Sequence, residues 1–191
     1  MSDRKKLQKA LENYRNAAQR TATKIEECMQ IYAPEAASIE SERLKSELEK
    51  EKQKALDVIR AERASAEKEA DEWGRMDGSR ITDDVKLLDS GIITADQFAQ
   101  LAEKYQDNGT MCQALRKYAE RHNEQLRAQS REAFPVGLID LGQLPTMESR
   151  RAELTHDAKS AESILNMIDG GFLGGPGSAM VDAAIAGFGK E

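Results

Sequence analysis

The sequence contains few of the residues that build disulfide frameworks and metal sites. Its 191 residues include two cysteines and two histidines, and Cys28 and Cys112 lie far apart without a CxxC spacing. Two distant cysteines make no disulfide framework, and they fit a protein that is made in a reducing compartment. We therefore expect no disulfides, no bound metal and no cofactor.

Long apolar runs are also missing. No stretch approaches the roughly 20 apolar residues that a membrane-spanning helix needs. The first 14 residues are polar throughout and contain no apolar segment of the signal-peptide kind. We expect a soluble protein that stays inside the cell that makes it and has no membrane partner.

The composition predicts a small apolar core. Hydrophobic residues make up 39% of the chain and aromatic residues 5%, whereas 32% are charged. Such a composition suits long helices and narrow coiled-coil seams better than a thick globule. The net charge of −6 argues against a nucleic-acid partner.

What the sequence does contain is one long charged stretch, from Glu35 to Trp73, without glycine or proline. Pro34 precedes it and Gly74 follows it, which marks both ends of a single helix. At about 1.5 Å per residue this helix would be about 55–60 Å long. Acidic and basic residues three apart would pair along its surface, each pair adding roughly 0.2–0.5 kcal/mol. The six pairs are Glu40–Arg43, Glu42–Lys45, Glu47–Lys50, Glu49–Lys52, Glu51–Lys54 and Asp57–Arg60.

Both N-terminal helices carry an apolar stripe, so residues 1–78 are predicted to form a long helical hairpin or coiled coil. The first stripe consists of Leu7, Leu11, Tyr14, Ala18, Thr21, Ile25, Cys28 and Tyr32. The second consists of Leu44, Leu48, Ala55, Ile59, Ala66, Ala70 and Trp73, with Lys52 and Glu62 on the same line. The long helix would pair either with the first helix or with another subunit.

Residues 79–128 are predicted to form a compact bundle of three short helices. A first helix opens at 82–85 and ends at Gly91, which supplies a left-handed C-cap. Thr94 and Gln97 have the spacing of a capping box for the second helix. Thr110 is predicted to cap the third.

The rest of the chain completes an all-α prediction. Residues 129–145 are interpreted as an extended connector, or at most one edge strand, because Pro135 and Gly137 interrupt their only apolar run. Residues 146–169 form a further helix that Thr146 caps. Residues 170–191 form a glycine-rich hinge and an apolar, amphipathic tail.

No arrangement of residues predicts catalysis or ligand binding. Glu153 and His156 have the spacing of half a di-iron site, but the only other histidine, His122, has no glutamate three residues before it. Cys28 belongs to the first stripe and is interpreted as a core residue. Cys112 lies in a first helical turn, where the helix dipole could lower its pKa, but no histidine or aspartate is near it in sequence. We expect neither an enzyme nor a small-molecule substrate.

Protein contacts are predicted at the two stripes and the tail. A glycine hinge followed by a short amphipathic segment is a common arrangement for docking a helix into a groove. The tail would dock either on its own chain or on another. The predicted interface residues are Leu7, Leu11, Ile25, Leu44, Leu48, Ile59, Trp73, Met180, Val181 and Ile185.

Residues 82–121 also resemble a known group of proteins. The segments Leu87–Gly91, Lys104–Tyr105, Asn108–Met111 and Arg116–Glu120 are similar to segments of uncharacterised helical structural and assembly proteins of tailed phages and prophages of Gram-positive bacteria. The resemblance covers about 40 residues and includes no catalytic motif. It implies a virion or assembly role, in the cytoplasm of a bacterial host or in the virion.

These observations predict a non-enzymatic protein that works by helix-mediated association. The most specific version is a phage scaffolding-like or head-associated protein whose partners are other copies of itself, a capsid-type protein, or both. The alternative is a cellular adaptor or chaperone-like binding module with the 79–128 bundle as its recognition head.

Overall fold

The protein is described by a computed structural model that covers residues 3–91, 93–130, 137–170 and 176–188. Within these ranges the chain forms helices and no strand, which confirms the all-α fold class. Two short 3-10 turns, Gly78–Arg80 and Leu141–Gln143, separate some of the α-helices. The α-helices are α1 (Arg4–Ile31), α2 (Pro34–Gly74), α3 (Val85–Ser90), α4 (Ala95–Lys104), α5 (Gly109–Gln129), α6 (Met147–Asp169) and α7 (Pro176–Gly187).

The chain divides into two compact units. Unit 1 combines Met1–Glu67 with Leu154–Glu191, and unit 2 consists of Lys68–Glu153. The hairpin and the last two helices therefore belong mainly to unit 1, whereas α3, α4 and α5 belong to unit 2. Both α2 and α6 contribute residues to each unit.

Unit 1 is built on an antiparallel pair, α1 and α2, which confirms the predicted hairpin. The backbone N–H of Asp3 donates to Glu62 at 2.9 Å, so the start of α1 lies beside a late turn of α2. The corner between the helices is short because α1 ends at Ile31 and α2 begins at Pro34. Glu62 lies on the apolar stripe of α2, and its carboxylate serves as this acceptor. Within this chain the long helix thus pairs with the first helix.

Four helices share the apolar core of unit 1. Four of its large side chains, Leu7, Leu11, Tyr14 and Ile59, come from the predicted stripes of α1 and α2, and the other large side chains come from α6 and α7. Fully burying an aliphatic side chain of this size stabilises by about 1.5–3 kcal/mol relative to leaving it exposed. The buried members are Leu7, Ala10, Leu11, Tyr14, Ala18, Ala55, Ile59, Ala158, Ala161, Ile164, Leu165, Ile168, Val181 and Ile185.

One carboxylate at the end of α6 joins three helices. Asp169 accepts a hydrogen bond from the Tyr14 hydroxyl at 3.1 Å and another from the Lys52 ammonium at 2.8 Å. This contact explains why a lysine lies on the apolar stripe of α2. The sequence predicted that Lys52 would pair with Glu49, but it pairs with Asp169 in the folded chain.

Three of the six ion pairs predicted along α2 are present. Glu51–Lys54 is 2.7 Å apart and Asp57–Arg60 is 3.8 Å apart, and Glu40 also pairs with Arg43. Glu47 pairs with Arg43 instead of Lys50. Exposed pairs of this kind each contribute about 0.3–0.5 kcal/mol, so their rearrangement changes the stability of unit 1 little.

The Asp169 contact predicts a loss of stability in acid. The Lys52 hydrogen bond, followed by that from Tyr14, holds the pKa of Asp169 below its ordinary value of 3.8. Because the folded pKa is the lower one, the contribution is complete above the ordinary value and is lost as pH falls through the folded pKa. Asp169→Asn should therefore destabilise unit 1 at neutral pH. The difference in free energy of unfolding between this variant and the wild-type chain should shrink as the pH falls below 3.8.

Urea unfolding followed by circular dichroism at neutral and acidic pH would measure this change. Asp57→Asn is the matched control, because Asp57 is exposed and its carboxylate pairs with Arg60 of its own helix. If Asp169→Asn lowers the free energy of unfolding by the same amount at every pH, the prediction is contradicted.

Unit 2 confirms two of its predicted helix ends and corrects a third. Gly91 ends α3 in the left-handed conformation, with φ of 69°, and Thr94 and Gln97 form both hydrogen bonds of the capping box. Thr110, however, does not cap α5. The Asn108 side chain accepts from the Met111 N–H at 3.2 Å, which starts the helix two residues earlier than a Thr110 cap would allow. Thr110 is buried and accepts from the Asp77 N–H at 3.0 Å.

The core of unit 2 includes the end of α2 as well as the short helices. Its buried residues are Trp73, Leu88, Phe98, Ala102, Tyr105, Met111, Cys112, Leu115, Ala119, Ile139 and Leu144. The Trp73 indole N–H donates to the Gln106 carbonyl at 3.3 Å. Gly109 lies so close to α2 that a Cβ there would be 1.8 Å from the Trp73 carbonyl oxygen. The first residue of α5 is therefore required to lack a side chain.

The predicted connector is held by a buried amide where the structure describes it. Residues 131–136 lie outside the described residues, and residues 137–140 form no strand. Asn123 on α5 donates to the Ile139 carbonyl and accepts from its N–H, both at 2.8 Å. These bonds satisfy the backbone of Ile139, so this part of the connector needs no strand partner.

Candidate interaction surfaces

Most of the ten predicted interface residues lie inside the chain. Leu7, Leu11, Leu44, Ile59, Val181 and Ile185 are buried in unit 1, and Trp73 is buried in unit 2. Ile25 and Leu48 are half-buried, and Met180 is 60% exposed. Contact with another chain through the buried residues would require these helices to separate first. That these residues form an interface between chains stays a prediction.

The tail helix α7 packs on the core of its own unit. Val181 and Ile185 are buried there, and the Asp182 carboxylate pairs with Arg15 of α1. Met180 was predicted to share this apolar face but is exposed instead. Adjacent helical residues point about 100° apart, so a narrow contact face that holds Val181 does not also hold Met180. The predicted glycine hinge lies largely outside the described residues.

The end of the α1–α2 hairpin is an exposed apolar surface, which we name the hairpin tip and define as residues 29–39. Between Met29 and Ile39 the sequence has one charged residue, Glu35, although 32% of the whole chain is charged. Four large apolar side chains of the tip are between 53% and 74% exposed. They are Met29, Ile31, Tyr32 and Ile39.

Sequence reasoning missed the tip because it assigned Tyr32 to the packed stripe of the first helix. In the structure α1 ends at Ile31, and Tyr32 adopts an extended conformation beyond the last turn. Its side chain is therefore not held against α2 and is exposed. The signal that could have found the tip is the low charge of residues 29–39 between two highly charged helices.

A second exposed apolar surface lies on unit 2, in an open groove of about 560 Å³. We name it the α3–α4 groove. Its described lining residues are Leu87, Ser90, Ile93, Gln97, Gln100, Leu101 and Lys104. Leu87 is 53% exposed, and Ile93 and Leu101 are half-buried against the core of unit 2. Lys104 is the one charged residue in this described lining, and its ammonium pairs with Asp84 at 2.8 Å.

A larger groove on unit 1, of about 620 Å³, has a different character. It lies between α1 and α2, and polar or charged side chains of both signs line most of it. Two of these, Glu51 and Lys54, pair with each other at 2.7 Å. An open surface with charges of both signs offers no particular ligand a distinct site.

The thiol of Cys112 has the opposite character from the one its helix position suggested. Burial raises its pKa to about 11, and the thiol contacts the Tyr105 carbonyl at 3.1 Å. The start of the helix therefore does not lower this pKa, because loss of solvent around the thiolate is the dominant effect. The Cys112 thiol is therefore protonated at neutral pH, the form that is a poor nucleophile.

The residues with metal-site spacing have separate contacts. Glu153 pairs with Arg150 at 3.0 Å, and His156 is exposed beside Asp157 at 3.7 Å. His122 lies near the Gly137 carbonyl at 3.3 Å. Over the part of the chain that the structure describes, three or more potential metal-ligating side chains never come together.

The helices of the described residues were also compared with the requirements of a bilayer span. None of them combines the necessary length with a sufficiently apolar composition.

Comparison of the whole chain with protein-family models, with curated protein sequences and with solved structures finds no match. The hairpin tip and the α3–α4 groove are therefore the basis for a functional proposal.

Proposed function

We propose that this chain is a non-enzymatic assembly protein that acts through helix-mediated association with other copies of itself. The hairpin tip is the observation that supports this proposal. Four large apolar side chains stand exposed at the end of a hairpin whose flanks are densely charged. Exposed apolar side chains grouped at one end of a hairpin favour an interaction site, because covering them removes apolar area from water.

The more specific version of the proposal is a phage scaffolding-like or head-associated protein with a capsid-type protein as a further partner. Its support is the sequence resemblance over residues 82–121. Reversible assembly needs small contact areas rather than a large buried interface. A tip of eleven residues is consistent with a contact of that size.

The alternative is an adaptor or chaperone-like binding module. The observation that favours it is the α3–α4 groove, whose apolar lining lies in the bundle predicted to be the recognition head. An apolar groove between two short helices is the kind of surface that binds an amphipathic helix of a partner. In this version the chain would act as a monomer.

Light scattering coupled to size exclusion tests the proposal against this alternative. Over roughly a hundredfold range of concentration, mass action should raise the measured mass above the 21.2 kDa of one chain. Ile31→Glu should lower that mass, because it places a charge in the apolar tip.

Met76→Glu is the matched control, because Met76 is also an exposed apolar residue but lies outside both surfaces. It should behave as the wild-type chain does. A wild-type mass of 21.2 kDa at every concentration would contradict self-association and leave the adaptor alternative as the better explanation.

A further inference from the structure

We propose that the hairpin tip of one copy docks into the α3–α4 groove of a second copy. This inference rests on the proposed function, to which it adds the partner and the two surfaces in contact. One chain carries both an exposed apolar projection and an exposed apolar groove.

The two surfaces have complementary form. The tip is a helical corner, with Ile31 at the end of one helix and Pro34 at the start of the next. The groove is open and has a volume of about 560 Å³, within the range of clefts that bury most of a bound group. Leu87, Ile93 and Leu101 give it an apolar lining. It can therefore receive side chains such as those of the tip.

Their charges are also complementary. Glu35 is the single charged residue of the tip, and it is anionic. Lys104 is the single charged residue in the described lining of the groove, and it is cationic. A Lys104 ammonium has three donors, of which the contact with Asp84 uses one, so it can also donate to a carboxylate from a second copy.

Two tips are a poorer match for each other. Two tips in contact would bring the Glu35 carboxylates of both copies together, which opposes association, whereas the groove offers Glu35 the Lys104 ammonium. Two grooves facing each other would leave their concave surfaces unfilled. Tip to groove is the pairing that covers both apolar surfaces.

This pairing joins two different surfaces of the chain. A single tip-to-groove contact leaves one tip and one groove free. If the two copies exchange tips reciprocally the assembly closes as a dimer, and otherwise it continues as a ring or an open filament.

Complementation between two variants tests the inference. Ile31→Glu disables the tip and leaves the groove intact, whereas Leu87→Glu disables the groove and leaves the tip intact. Both residues are more than half exposed, so neither change places a charge in a core. Each variant alone should stay at 21.2 kDa, and an equimolar mixture should form a complex of two chains, one of each kind.

Circular dichroism and urea unfolding would establish that each variant is folded. Should Leu87→Glu disturb unit 2, Gln100→Arg is a second groove variant, because Gln100 is exposed and lines the same groove. Met76→Glu, outside both surfaces, should associate as the wild-type chain does.

Two results would overturn the tip-to-groove contact while leaving self-association in place. One is a Leu87→Glu variant that associates as strongly as the wild-type chain. The other is two monomeric variants whose mixture also stays monomeric. A wild-type chain that is monomeric at every concentration would overturn both the contact and the proposed self-association.

Discussion

Gly109→Ala should lower the free energy of unfolding of unit 2 by about 3 kcal/mol, at the upper end of the usual cost of overpacking. The added Cβ would lie 1.8 Å from the carbonyl oxygen of Trp73 and 2.8 Å from its carbonyl carbon. Both are backbone atoms, so no side-chain rotation relieves the clash. The start of α5 and the end of α2 must move apart, which disrupts the packing around Trp73.

The fluorescence of Trp73 measures this effect directly, because Trp73 is the only tryptophan of the chain and lies in unit 2. With a urea dependence of about 1–2 kcal/mol per M, the midpoint should fall by about 1.5–3 M. Gly78→Ala is the matched control, since a Cβ there meets nothing within 4 Å. Equal midpoints for the two variants would show that the close approach of α5 to Trp73 is wrong.

Val181→Asp should detach α7 from unit 1. Val181 is fully buried, and a carboxylate in its place would lose its hydration. We expect the free energy of unfolding of unit 1 to fall by about 3 kcal/mol. The loss cannot exceed the free energy with which α7 docks on the unit. A single helix of 12 residues is marginal in water, so α7 should unfold once it detaches.

Hydrogen exchange measured by mass spectrometry would follow the amides of residues 176–188. They should lose protection in Val181→Asp and keep it in Met180→Asp. The two variants add the same charge at adjacent positions of one helix, but Met180 is exposed. Equal protection in both would mean that the docking of α7 does not depend on the burial of Val181.

Local features of the fold could be predicted from the sequence because they depend on residues close together in the chain. The capping box of Thr94 and Gln97 and the left-handed Gly91 are formed by neighbouring residues. Thr110 was predicted to cap α5, but the cap is Asn108. The Thr110 hydroxyl instead accepts from the N–H of Asp77, which lies in another segment.

The candidate surfaces were less predictable than the helices. Periodicity identifies which side of a helix is apolar, but it does not identify what covers that side. Leu7 and Ile59 were therefore predicted as interface residues, and the structure places them in the core of their own unit. The exposed tip was missed because the end of α1 decides whether Tyr32 packs or projects.

The sequence by itself determined the all-α class, the position of the long helix and most of the apolar stripe of each N-terminal helix. These follow from glycine and proline placement and from spacing along one element. Only the tertiary structure decided that Lys52 pairs with Asp169, that α6 and α7 complete the N-terminal core, and that the hairpin tip stays exposed. The reason is that these outcomes depend on contacts between residues distant in sequence, and a one-dimensional pattern does not specify which segments meet.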